Sequence, residues 1–181
     1  MFKKLLIELS VELQKKNIPY MIIGGQALHL YGEPRLTKDI DITVGITKER
    51  KKDILHIAKK IKLKTLVNDI DDFVEKTMVI PLVQEKSGIR VDFIFSYTPY
   101  ERQAIERARV VVIDKEKVFY ASPEDVIIHK IFAGRERDIE DVRKILLKQK
   151  IDVEYVLYWL AEFDKSFDGG FMARFKSLMR K

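Results

Sequence analysis

Apolar residues recur every three or four positions at the start of the chain. Phe2, Leu5, Leu6, Leu9 and Leu13 share one side of a helix over residues 2–16. Pro19 closes the connection that follows. Tyr20-Met21-Ile22-Ile23 is apolar throughout, which predicts a buried strand running into Gly24-Gly25 and then a short helix from Gln26 to Tyr31. Gly32, Pro34 and Thr37 mark a loop. From Asp39 to Val44 the period changes to two, with Ile40, Ile42 and Val44 on one face and Asp39, Asp41 and Thr43 on the other. Thr47 is placed to cap a helix over 48–61, and residues 69–76 suit a second short helix. Residues 78–84 and 89–95 read as two strands joined by the hairpin-length turn Glu85-Lys86-Ser87-Gly88. Thr98-Pro99-Tyr100-Glu101 combines a capping box with Pro at the first helical position, so a helix begins there. Residues 109–113 and 118–121 form a further strand pair. From Ser122-Pro123 onward the pattern is helical, over 123–133, 139–149, 153–163 and 170–180.

This order predicts an α+β fold: a mixed sheet flanked by helices over 1–121, followed by a helical C-terminal subdomain over 122–181. At 181 residues the chain can bury a sizeable core without a disulfide or structural metal. The absence of cysteine excludes a disulfide framework, a thiolate zinc site and a cysteine nucleophile. His29, His56 and His129 have no partner at ligand spacing, and His129 leaves its helix about 100° away from the adjacent Lys130. No apolar run approaches the roughly 20 residues that span a bilayer, and Met1 to Lys16 is too charged for a signal peptide. A cytoplasmic protein without membrane partners is expected, and a charged fraction of 34% leans towards a thermophile.

Charge alters the picture locally. The net charge is +6, and Lys48 to Lys64 holds eight basic residues against Glu49 and Asp53. Such a segment can attract a polyanion, although a solvated helix face is the plainer reading. The acids are more informative. Asp39 and Asp41 leave one face of a strand, and Asp92 stands opposite the apolar face Ile89, Val91, Phe93 and Phe95. Carboxylates embedded in apolar strands carry a desolvation cost. Divalent Mg²⁺, which prefers carboxylate and phosphate oxygens, offsets it, and three carboxylates can hold two ions. The competing reading is that Asp39 and Asp41 lie on an exposed edge strand. Gly24-Gly25, at a strand-to-helix junction, offers backbone N–H groups to a phosphate, or simply makes a tight turn.

The stretch from Ile22 to Ile42, with Gly24-Gly25 followed by Arg35-Leu36-Thr37-Lys38-Asp39-Ile40-Asp41, resembles the nucleotidyltransferase superfamily of DNA polymerase β. It is most similar to the small prokaryotic branch containing AbiEii-type toxins and minimal nucleotidyltransferases. Lys130 to Asp138 and Asp141 also resemble that branch, so the likeness spans 20 to about 147. The resemblance implies a nucleotidyltransferase-like core that uses Mg²⁺, or Mn²⁺, to move a nucleoside monophosphate from an NTP to an acceptor hydroxyl, releasing pyrophosphate. It assigns Asp39, Asp41 and Asp92 to metal and catalysis, with Asp92 as the proton acceptor. It assigns Gly24, Gly25, Gln26, Arg35 and Lys130 to the nucleotide. Gly25 departs from the pattern, in which a Ser follows the first Gly.

Some positions keep two readings. Lys130 is either directed at phosphate or an exposed helix lysine. Arg135 and Arg137 could neutralise phosphate, and Asp138 could instead cap helix 139–149, with Asp141 at its third position. Glu85 reads as a solvated acid. Tyr155, Tyr158, Trp159, Phe163, Phe167, Phe171 and Phe175 suit helix packing better than a base-stacking platform. The acceptor is an RNA end, a protein hydroxyl or a small molecule. A catalytically silent module of a toxin–antitoxin-like pair is the rival, and three retained acids argue against it.

Overall fold

The computed structural model describes residues 2–33, 37–96 and 98–179. Helix α1 (Phe2–Lys15) buries Leu5, Leu6, Leu9 and Leu13, the stripe expected from their spacing. Strand β1 (Tyr20–Ile22) leads into α2 (Gly24–Tyr31), and β2 (Asp39–Val44) follows. Beyond it come a 3₁₀ turn (Lys48–Arg50), α3 (Lys51–Lys60), β3 (Lys64–Thr65) and α4 (Ile70–Thr77). The hairpin β4 (Val79–Gln84) and β5 (Ile89–Phe95) precedes α5 (Pro99–Glu106). The hairpin β6 (Arg109–Ile113) and β7 (Glu116–Tyr120) precedes α6 (Pro123–Ala133), α7 (Glu136–Lys148), α8 (Val153–Ser166) and α9 (Phe171–Met179).

The strands form one sheet in the order β3-β4-β5-β2-β1-β7-β6. Pairings β2–β5 and β1–β7 are parallel, and the others are antiparallel, giving the mixed α+β sheet expected from the pattern. Ile40, Ile42 and Val44 of β2 and Val91, Phe93 and Phe95 of β5 are fully buried in a continuous apolar core. Helix α1 packs on β7 and α3, α2 on β2, and α6 on α2, α7, α8 and α9. Among the described residues no helix is long and apolar enough to cross a membrane.

Several boundaries differ from the pattern, each for a local reason. Helix α2 opens at Gly24, because Gly24 adopts φ +63° and turns the chain at once. Thr47 sits at the cap position but its side chain makes no capping bond. Strand β3 has only two exposed residues, too few to show a period. Helix α7 begins three residues early: Gly134, at φ +65°, ends α6 and Arg135 occupies the next cap position. The capping box at Thr98 and Glu101 forms as its sequence requires. Helices α8 and α9 bury Trp159, Phe171 and Phe175.

The Leu stripe of α1 ties that helix to the sheet. Leu9→Ala is expected to cost about 2–5 kcal/mol through lost transfer energy and an unfilled cavity. Urea denaturation measures this, and a loss below about 1 kcal/mol would show that α1 is not part of the cooperative core.

Candidate functional site

Strand register assembles the acids. Asp41 is paired directly with Asp92 across the parallel β2–β5 ladder, and Asp39 with Arg90. Register partners in neighbouring strands share a sheet face about 4.8 Å apart, so Asp41 and Asp92 stand side by side. Asp39 is on the same face, two residues nearer the strand start. On the other side of Asp92 its register partner is Pro81. Asp92 thus lies between a carboxylate and an apolar ring, and its Oδ1 is buried with no hydrogen-bond partner.

The helix start closes over this pair. A Cβ on Gly24 would fall 2.1 Å from Asp41 Oδ2, and one on Gly25 would fall 3.2–3.3 Å from Thr37 side-chain atoms. Gly24 suits this position by its left-handed backbone, and a side chain there would have to displace the Asp41 carboxylate. Thr37 Oγ1 accepts a hydrogen bond from the Asp39 N–H at 3.2 Å, fixing the approach to β2. Gln26 is buried in the first turn of α2. Arg35 lies outside the described residues.

Burial, then the neighbouring Asp92 and Asp39, push the Asp41 carboxyl up to about 6. Burial also raises Asp92, with Asp39 adding to the effect and Arg90 opposing it. Two cations moderate the negative charge at Asp41: Arg135 and Lys130 both favour its ionised form.

Lys130 corrects a sequence expectation, because it is not an exposed helix lysine. Its exposure is 6%, and its Nζ donates to Asp141 Oδ2 at 2.6 Å and to Asp138 Oδ1 at 3.2 Å. Asp138 does not cap α7. It occupies the third helical position and also accepts from Arg135 Nε. Although burial opposes ionisation, Arg135 and Lys130 hold the Asp138 carboxyl below its usual range. Sequence reading missed this clamp, whose signal is the spacing of Asp138 and Asp141 on one helical face. It also passed over Arg90, which alternation places on the same strand face as Asp92.

Other candidates lie elsewhere. A groove of about 850 Å³ between α1, the end of α3 and the β4–β5 turn contains none of these acids. Much of the basic segment is held in ion pairs: Lys48 with Glu75, Arg50 with Asp53, Lys51 with Asp71 and Lys60 with Glu12. Glu85 is paired with Lys64 at 2.7 Å. Among the described residues no group of three or more Asp, Glu or His side chains is drawn together tightly enough to hold a metal ion as it stands.

A mixed sheet whose second strand carries Asp-x-Asp beside a glycine-started helix has the nucleotidyltransferase fold. Solved structures share it. ANT(2")-Ia in complex with adenylyl-2"-tobramycin has a TM-score of 0.61 at 19% identity, covering 91% of this chain and 97% of that one. The lincomycin-bound lincosamide antibiotic adenylyltransferase LnuA gives 0.51 at 14%, covering 74% and 89%. An antigenic nucleotidyltransferase-like protein from Paracoccidioides brasiliensis gives 0.53 at 20%, covering 80% and 73%. Residues 2–171 match the family described as "Nucleotidyltransferase of unknown function (DUF6036)", and the chain belongs to that family. No curated protein matches it.

Two consequences are measurable. The folded Asp41 carboxyl titrates near 6, against an ordinary value of 3.8. Between those values the folded state holds a proton that the unfolded chain has released, so stability falls as pH rises through this window. With divalent cations chelated, Asp41→Asn is expected to be about 1–3 kcal/mol more stable than wild type at pH 7.5. The gain should vanish near pH 4, as read by urea denaturation across the range. A less stable variant at pH 7.5 would make Asp41 a structural partner.

Lys130→Met, by contrast, should cost about 3 kcal/mol, because it strands buried carboxylates. Adding Asp141→Asn should recover part of that loss in a double-mutant cycle. A cost below about 0.5 kcal/mol would return Lys130 to the behaviour of a surface lysine.

Proposed function

We propose that the protein transfers a nucleoside monophosphate from an NTP to an acceptor hydroxyl, releasing pyrophosphate. The observation that carries this reading is the Asp41–Asp92 register pair, with Asp92 Oδ1 buried and unpartnered and Asp41 set against the Gly24 helix start. An orphaned carboxylate oxygen and a carboxyl raised by neighbouring acids fit a hard divalent cation, Mg²⁺ or Mn²⁺. Asp39, Asp41 and Asp92 would hold it, and their carboxylate oxygens suit the two ions that the resemblance implies. When bound, the cation supplies charge neutralisation at the nucleotide phosphates.

The chain's own residues do the rest. The first N–H groups of α2, at Gly24, Gly25 and Gln26, lack helical partners and face an anion favourably. Gly24 has no side chain between that helix start and Asp41. Arg135, paired with Asp138 but with a side chain 59% exposed, is a cation open to phosphate. Lys130, committed to Asp138 and Asp141, acts from behind as fixed positive charge near Asp41. Arg35 belongs to the same set by resemblance. In the transfer the acceptor oxygen forms a bond to the α-phosphorus, and the bond from that phosphorus to the β-bridging oxygen breaks. Pyrophosphate takes the electron pair, and the hydroxyl proton passes to Asp92. Ion pairs take up five of the eight basic side chains in 48–64, which weakens the segment as an RNA footprint and favours a small-molecule or protein hydroxyl over an RNA end.

The test is pyrophosphate release from each NTP with Mg²⁺ or Mn²⁺, using pooled small-molecule, protein and RNA acceptors. Asp41→Asn and Asp92→Asn are expected to lower release about 100-fold or more while the circular dichroism spectrum is unchanged. If wild type shows neither release nor a melting shift with any NTP and metal, the interaction-module reading replaces this one.

A further inference from the structure

The two edges of the sheet are finished differently. β3, at one edge, has two exposed residues, one of them Lys64. So short and charged an edge resists pairing with another strand. β6, at the other edge, is the run Arg109-Val110-Val111-Val112-Ile113, without Lys, Pro or Gly. Val110 and Val112 leave one face and are 49% and 65% exposed, whereas Val111 and Ile113 pack against the core from the other.

Backbone geometry fixes what this edge offers. The β6–β7 turn has two central residues, Asp114 and Lys115, both left-handed at φ 47° and 73°. A two-residue turn of this kind is closed by hydrogen bonding between Ile113 and its register partner Glu116. Antiparallel pairs alternate, so Val111 and Arg109 also bond to β7 while Val110 and Val112 do not. Two contacts agree. Phe119, opposite Val110, donates its N–H to Tyr20 Oη at 3.3 Å instead of to β6. The carbonyl of Lys117, opposite Val112, accepts from Ser10 Oγ at 2.6 Å and from Gln14 Nε2 at 2.9 Å. The N–H and C=O of Val110 and Val112 therefore point outward, and among the described residues no strand pairs with them.

A second copy of β6 matches this edge. Run antiparallel about a two-fold axis at Val111, it sets Val110 against the partner's Val112 and Val112 against the partner's Val110. Every outward N–H and C=O of both copies is then bonded, and the exposed valines pack against each other across the strands. Charge favours the same direction. Arg109 and Glu116 stand exposed at opposite ends of the hairpin, and neither has an ion pair among the described residues. In this register Arg109 faces the partner's Ile113, and the partner's Glu116 lies one strand further on the same face. Two strand spacings are about 10 Å, which extended Arg and Glu side chains together span. A parallel pairing would instead set the two Arg109 side chains together. Pairing β6 with β3 would be head to tail and has only two residues of β3 to use.

We propose that the protein is a two-fold symmetric dimer in which β6 pairs antiparallel with β6 of a second copy, Val111 on the axis, joining two seven-stranded sheets into one. β6 is three strands from β2, so a copy docked there leaves the acids open, and the assignment stands apart from nucleotide transfer.

The test begins with sedimentation equilibrium of the full chain, in about 0.15 M salt to screen the +6 charge of each copy. The mass is expected to approach twice 21.3 kDa, with a dissociation constant of about 1–100 µM for so small an interface. Val112→Pro removes an outward N–H, which an edge strand tolerates, and should weaken association at least tenfold. The chain has no cysteine, so one introduced at a time reads the register. Val111→Cys places two thiols across the axis with Cα atoms about 4.5 Å apart, within disulfide range, and should crosslink on oxidation. Val110→Cys, whose copies lie about 8 Å apart on the diagonal, should crosslink at least fivefold more slowly. A monomer at every concentration, association unchanged in Val112→Pro, or Val110→Cys crosslinking as fast as Val111→Cys would overturn the assignment. The wild-type mass and the two cysteine variants decide the matter even if Val112→Pro does not fold.

Discussion

The parallel pairing of β2 with β5 is the constraint on which the site depends. It sets Asp41 beside Asp92, and burial forces the two carboxylates to share a poorly solvated space. Neither strand could shift by one residue without turning Ile40, Ile42, Val91 and Phe93 out of the core. The apolar faces thus hold the acids together against their repulsion. The cost appears as a raised Asp41 carboxyl and an unpartnered Asp92 oxygen. A structure selected for stability alone would have little reason to keep this arrangement, which is the usual mark of a functional site.

The C-terminal helices answer that negative charge. Lys130 on α6 is fixed by Asp138 and Asp141 on α7, and Arg135 is fixed by Asp138. Both cations bear on Asp41 without an ion pair to it. Fixed charge of this kind is preorganised, because the acids behind it rather than solvent orient it. The cluster also joins α6 to α7 and couples the stability of the helices to the electrostatics of the sheet. The basic segment at 48–64 behaves differently. Five of its eight basic side chains, Lys48, Arg50, Lys51, Lys60 and Lys64, are met by acids of α1, α3, α4 and the β4–β5 turn, so much of the local charge there reflects ion pairing within the fold.

Most elements were legible in the chain because their signals are local. The period-two alternation of β2 and β5 identified their buried faces, and the Thr98 and Ser122 caps set the starts of α5 and α6. What failed was short or depended on distant contacts. Two-residue β3 has no period, and the early start of α7 follows from the left-handed Gly134. Lys130 shows the same limit at the site. An isolated helix position cannot reveal that a second helix will bury it.

The sequence by itself determined which residues are acidic, which strand face each acid occupies, and that a glycine pair stands at the strand-to-helix junction before them. Those properties follow from backbone geometry over a few residues. Only the tertiary structure decided that Asp41 lies opposite Asp92, that Asp41 fills the space a Gly24 side chain would need, and that Lys130 is spent on Asp138 and Asp141. It also decided that His129 Nε2 is buried without a hydrogen-bond partner. Each of these depends on register and packing between segments far apart in the chain, and the free energy that fixes them comes from burial of the whole core.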